Sequence, residues 1–166
     1  MVGMRTLFGA FVCIFNTFLT ASVSGQGYTG CPTGWQAFRE KCYFFSDFAV
    51  TYADAASLCR ASNAKLAEPS EMEGDSYLRN QTMQKNVRFY IGVADYFVEG
   101  KWMFISSLKQ ATPTYWESGE PNNDGDEDCV EILPGSGQWA DCSCTLQRNF
   151  ICEKNVVENV NSIVIG

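Results

Sequence analysis

The chain contains no histidine, so no Ser-His or Cys-His catalytic pair can form. It has no Cys-x-x-Cys pair, and with histidine missing too, a structural zinc site is a poor reading of its cysteines. Basic residues are scarce: 12 Lys and Arg stand against 19 Asp and Glu, for a net charge of −7. That balance argues against nucleic acid and against anionic membrane surfaces as partners. There is no internal repeat and no low-complexity block. After residue 24 no apolar stretch is long enough to span a bilayer.

The one long apolar run lies at the start. Arg5 precedes Leu7 to Leu19, and the small residues Ala21, Ser22, Ser24 and Gly25 follow. This is the pattern of a secretory signal over residues 1–24, with an uncleaved anchor as the alternative. A secreted, extracellular domain is therefore expected. Seven cysteines remain after the signal, at 31, 42, 59, 129, 142, 144 and 152. In a small exported domain these imply a disulfide framework, with one cysteine left over.

One domain is expected over 31–154, followed by a tail over 155–166. Cys31 and Cys42 bracket a small hairpin around Trp35 and Phe38, and Tyr43 to Phe45 continues as a strand. Thr51 to Ser62 reads as a helix capped by Thr51 with Asp54, its inner face formed by Ala55, Leu58, Cys59 and Ser62 and its stop at Asn63. Ser70 and Glu73 predict a second helix running to about Met83. Asn80-Gln81-Thr82 is a glycosylation sequon, used or unused. Short strands are expected at 89–93, 101–104, 129–133, 138–141 and 149–153. Two helices followed by short strands predict an α+β domain. The stretch 106–128 has little regular pattern, and ordered loops of that length usually have a function.

That loop holds the densest chemistry. Glu120 to Asp128 carries five acids and two amides in nine residues. Calcium takes six to eight such oxygens, whereas magnesium demands tighter octahedral geometry. EF-hand spacing fails here, and a merely solvated acidic loop is the bland alternative.

The flanking residues favour the first reading. Cys31-Pro32-x-Gly34-Trp35, Tyr90-Ile91-Gly92-Val93, Gly100-Lys101-Trp102, Trp116-x-x-Gly119-Glu120-Pro121-Asn122, Trp139-Ala140-Asp141 and Phe150-Ile151-Cys152-Glu153 follow in the order seen in the C-type lectin domain family. The sequence resembles that family over nearly all of 31–154, in the manner of long-form, single-domain secreted invertebrate lectins of the perlucin kind. The resemblance implies a C-type lectin-like fold, with two helices, small antiparallel sheets and a long calcium-binding loop. It implies bridges Cys31–Cys42, Cys59–Cys152 and Cys129–Cys144. Cys142 is then unpaired: it joins a second chain in a disulfide-linked homodimer, stays free, or competes with Cys144 for Cys129, and the first of these is slightly favoured.

The resemblance also implies a calcium ion that binds sugar, held by Glu120, Asn122, Glu127 and Asp141, with a cis peptide before Pro121. Asp95, Glu99, Asn123, Glu127 and Asp128 match a second calcium set. The order Glu-Pro-Asn resembles the pattern that suits equatorial vicinal hydroxyls, as in mannose or N-acetylglucosamine. Ala140 departs from it, standing where the family has an asparagine. The expected function is calcium-dependent glycan binding, in microbe or matrix recognition and innate immunity. A shell, matrix or mineral-associated protein with weak sugar binding is the rival reading. An enzyme ranks third. Trp35, Trp102, Trp116 and Trp139 are expected in the core, and Tyr115 or Phe97 could stack on a sugar face.

Overall fold

In a computed structural model, residues 30–157 are described. The signal expected over 1–24, Cys13 and the part of the expected 155–166 tail from 158 onward lie outside them.

The chain order is β1 (Gln36–Phe38), β2 (Lys41–Phe45), α1 (Tyr52–Ala61), β3 (Lys65–Leu66), α2 (Met72–Lys85), β4 (Phe89–Ala94), β5 (Met103–Phe104), β6 (Cys129–Ile132), β7 (Trp139–Cys142) and β8 (Asn149–Asn155). The strands join in the order β1-β2-β8-β4-β6-β7, with β3 on β8 and β5 on β4. The sheet is mixed, because β4 and β8 run parallel while the other pairs are antiparallel. The expected small antiparallel sheets thus join into one α+β framework.

Strand β4 lies at the centre of this sheet, and all six of its residues are buried. That explains its unbroken apolar run, since a strand covered on both faces has no polar side. Gly92 is forced there by close approach: a Cβ would lie 2.8 Å from the Leu66 carbonyl oxygen. The Gly92 N–H donates to Ala67 O at 2.7 Å, and Gly92 O accepts from Ile105 N–H at 3.0 Å.

Helix α1 starts as read. Thr51 Oγ1 accepts from Asp54 N–H at 3.4 Å and donates to Asp54 Oδ2 at 2.7 Å. Asn63, at φ 51°, provides the left-handed stop. The inner face differs in detail. Tyr52, Ala55 and Cys59 are buried, while Leu58 is 40% exposed and Ser62 faces out. Helix α2 begins later than the capping signature predicts. Glu71 stands at the N-cap without a side-chain bond, because the Ser70 N–H is drawn into a tight turn onto Glu68 O at 2.8 Å. The helix runs on to Asn86, whose left-handed backbone ends it.

The three expected bridges are present: Cys31–Cys42, Cys59–Cys152 and Cys129–Cys144. Cys59–Cys152 fastens α1 to β8. Cys142 is free, as read, but it is 3% exposed and sits on β7 opposite Cys129. A sulfur so placed cannot meet another chain's sulfur while the strand is paired. The intermolecular bridge is therefore not supported by this fold, and burial pushes the thiol far up from its ordinary pKa. At the C-terminus, β8 runs through Asn155 and Val157 pairs with Gly30, so pairing extends past residue 154.

Trp139 is fully buried and is packed by Tyr115 and Trp116. Its indole N–H donates to the buried Asp75 carboxylate at 3.0 Å. Burial pushes Asp75 up to about 6, against the lowering influence of Arg79 and of this hydrogen bond. Trp35, Trp102 and Trp116 are half-buried against the core.

Candidate metal and sugar site

No helix or strand occurs between Phe104 and Cys129, yet β7 pins the loop from below. Trp139 N–H donates to Tyr115 O and Glu117 N–H donates to Trp139 O, both at 2.8 Å. The Gln138 side-chain amide donates to Trp116 O at 3.0 Å. The loop therefore leaves the sheet at a fixed point just before Gly119.

Beyond that point the acidic run folds on itself. The Glu120–Pro121 peptide is cis, as expected. The Asn122 side-chain amide donates to Glu120 Oε2 at 2.8 Å. The Asp124 N–H is shared by Asn122 Oδ1 at 2.8 Å and Glu127 Oε2 at 3.1 Å, which brings those two oxygens to one place. Asp141 enters from β7, and its two oxygens accept the backbone N–H groups of Asn122 and Asn123 at 3.1 and 2.7 Å. Glu120, Asn122, Glu127 and Asp141 are thus linked directly or through Asp124. A carboxylate has about four lone-pair positions, so Asp141 keeps capacity for a further partner.

The second predicted set is drawn in more tightly. Oxygens of Asp95, Glu99 and Asp128 lie within 4.8 Å of one another. Asp95 N–H donates to Asp128 O at 3.1 Å, fixing the end of β4 to the start of β6. Asn123 joins the two sets. Its side-chain amide donates to Glu99 Oε1, and its Oδ1 accepts from Glu127 N–H, each at 2.9 Å.

Asp95 is 1% exposed; Gly100 N–H donates to its Oδ2 at 2.8 Å, but its Oδ1 is buried without a partner. A buried, unpartnered carboxylate oxygen on a residue clustered with two more carboxylates suits a hard cation. Burial, with neighbouring carboxylates adding, holds Asp95 and Glu127 above the ordinary range. Glu120 is pushed up to about 7, first by its hydrogen bond with Asp141, then by burial and by the Asp141 charge. For Asp141 burial pulls upward, but the bonds from Glu120, Asn123 and Asn122 prevail and hold it low. The two carboxylates are thus pushed apart, Glu120 upward and Asp141 downward.

The family description "Lectin C-type domain" matches residues 49–154. The chain belongs to the C-type lectin domain family. A second description, "UL45 protein, carbohydrate-binding C-type lectin-like", matches residues 1–78. C-type lectin domain family 4 member M of Symphalangus syndactylus is 37% identical over 128 residues, covering 76% of this chain and 30% of the relative. The chain thus spans under a third of that protein's length. The mouse scavenger receptor C-type lectin carbohydrate-recognition domain superposes with a TM-score of 0.72 at 30% identity, covering 76% of this chain and 98% of that one. Herring type II antifreeze protein superposes with a TM-score of 0.69 at 25% identity, covering 76% and 100%. Members of the family are generally carbohydrate-binding proteins rather than enzymes.

Two parts of this C-type lectin domain were not foreseen. Asp124 acts through its backbone N–H, which gathers the Asn122 and Glu127 oxygens, and backbone roles leave no side-chain signature. Beneath the loop, Glu131 on β6 is 1% exposed and is paired by Arg88 and Arg148. A glutamate between Val130 and Ile132, in a strand otherwise apolar, was the available signal. Of the proposed sugar-stacking aromatics, Tyr115 is half-buried under Arg79, while Phe97 is 52% exposed against Tyr96.

Proposed function

We propose that this domain is a secreted, calcium-dependent carbohydrate receptor with mannose- or N-acetylglucosamine-type preference, acting in glycan or microbe recognition. The observation that carries the calcium reading is the convergence of Asp95, Glu99 and Asp128 around an orphaned buried oxygen. Glu120, Asn122, Glu127 and Asp141 would hold the sugar-site ion, and Asp95, Glu99, Asn123, Glu127 and Asp128 the second. Bound calcium supplies open coordination positions for hydroxyl oxygens. The chain's own carboxylates accept from those hydroxyls, and the Asn122 amide donates to them. A perlucin-like affinity belongs to the same proposal. Retention on mannose-agarose that a chelator abolishes is the expected result.

Acid should weaken binding. Glu120 holds a proton below about 7, and calcium must expel it. Apparent calcium affinity therefore rises with pH through about 7 and falls on the acid side. Calorimetry in buffers of different ionisation enthalpy should show protons released on binding near pH 6.5. Proton-free binding with constant affinity from pH 5.5 to 8 contradicts this.

The rival reading, a matrix or mineral-associated protein, rests on Ala140, which is buried on β7 beside Asp141 and supplies no amide. The antifreeze neighbour shows that the architecture also serves a protein named for another property. Ala140→Asn should tighten mannose binding by about 1.5 kcal/mol, roughly tenfold. A variant that folds and gains nothing, with chelator-insensitive retention on carbonate, favours the rival.

A further inference from the structure

Helix α2 carries a polar atom that the fold does not use. Thr82 is fully buried on its inner face, and its hydroxyl has no hydrogen-bond partner. An unpaired buried hydroxyl is destabilising, because it gives up its water without gaining a partner. Threonine is also a weaker helix former than most of its neighbours along α2. Valine has nearly the same outline and would fill the position without an orphaned donor. Two residues earlier Asn80 is exposed in mid-helix and completes Asn80-Gln81-Thr82. Met83, one turn from Asn80, is 37% exposed, so apolar surface lies open beside the amide.

We propose that Thr82 serves the unfolded chain: its hydroxyl marks Asn80 for N-glycosylation before α2 closes onto the sheet. The donor is an oligosaccharide activated as a lipid pyrophosphate. Asn80 Nδ2 bonds to the anomeric carbon. The bond from that carbon to the pyrophosphate oxygen breaks and the oxygen keeps the electron pair. The amide proton passes to a base on the transferase. The transferase requires an extended Asn-x-Thr with its hydroxyl free to pair. In the finished helix that hydroxyl is sealed against the core, so the folded domain is no substrate. Attachment precedes folding, and the glycan then stands over the face that bears Met83. The inference rests on the proposed secretion, which protease protection reads separately, and not on the calcium or sugar reading.

The test is translation of the full chain with endoplasmic-reticulum microsomes. Protease-protected product is compared with and without peptide N-glycosidase. Protected wild type should drop by one mobility step on deglycosylation. N80Q and T82V should run at the lower position from the outset, while T82S keeps the upper band in part. Purified, folded, glycan-free domain added to the same microsomal transferase should gain nothing. N80Q and T82V both lack the glycan, so their comparison isolates the hydroxyl: T82V should melt about 3–6 °C higher. The proposal is overturned if the chain is not protected, if protected wild type carries no glycan, or if the folded domain is modified as well as the nascent chain. It is equally overturned if T82V melts at or below N80Q.

Discussion

Glu127→Ala should abolish calcium-dependent sugar retention while leaving the metal-free fold intact. Glu127 is the one side chain common to both proposed ligand sets, and it is half-buried in the loop rather than part of the core. Its Oε2 meets Asn122 Oδ1 at the Asp124 N–H, and its own N–H is held by Asn123 Oδ1. Truncation removes an anionic group from both proposed sets at once. Losing one charge-assisted contact of ~3 kcal/mol lowers affinity by roughly 100-fold, and here the loss falls on two coupled sites. Glu127→Gln keeps an oxygen without the charge and should fall between. Calcium titration followed by tryptophan fluorescence reads both. Unchanged affinity in the alanine variant contradicts the ligand assignment.

The largest stability effect should come from Cys59 and Cys152. Their bridge closes a separation of 93 residues and binds α1 to β8, next to the parallel β4–β8 pair. In the loop-entropy account this amounts to about 4–5 kcal/mol, against about 3 kcal/mol for the 11-residue separation of Cys31–Cys42. The double variant Cys59→Ala/Cys152→Ala should melt about 15 °C lower, and the Cys31→Ala/Cys42→Ala pair clearly less. Equal losses, or a smaller loss at Cys59–Cys152, would show that the denatured chain is already held together by other means. Calorimetric melting of both variants in calcium-free buffer separates this from any contribution of bound ion.

Local features were legible in the sequence where the physics is local. Thr51 Oγ1 accepts the orphan Asp54 N–H and donates to the Asp54 carboxylate, so the start of α1 follows from four residues. β4 shows itself because a doubly covered strand needs apolar side chains throughout. The acidic loop was visible because five acids and two amides in nine residues are a compositional extreme. What depends on distant partners was not legible. β3 is two residues long and exists only because β8 passes beside it. The parallel β4–β8 register joins segments about 60 residues apart and has no local marker. Leu58 satisfies helical spacing, yet Tyr52 draws the buried face around to its own side. Ser70 fits a capping pattern but is claimed first by the turn at Pro69. The fate of Cys142 also hinged on a register: placed opposite Cys129 on a paired strand, it points inward. Within the candidate site, the side chains were named from the resemblance, whereas the backbone of Asp124 and the two backbone N–H groups that hold Asp141 were visible only once folded.

Diffraction from crystals of the domain grown with calcium and mannose would show both proposed ion sites at once. Ion density is expected among Asp95, Glu99 and Asp128, with a second ion ligated by Glu120, Asn122, Glu127 and Asp141 and neighbouring mannose hydroxyls on its open side. Clusters without density at millimolar calcium, with Asp141 bonded only to the Asn122 and Asn123 amides, would contradict both assignments.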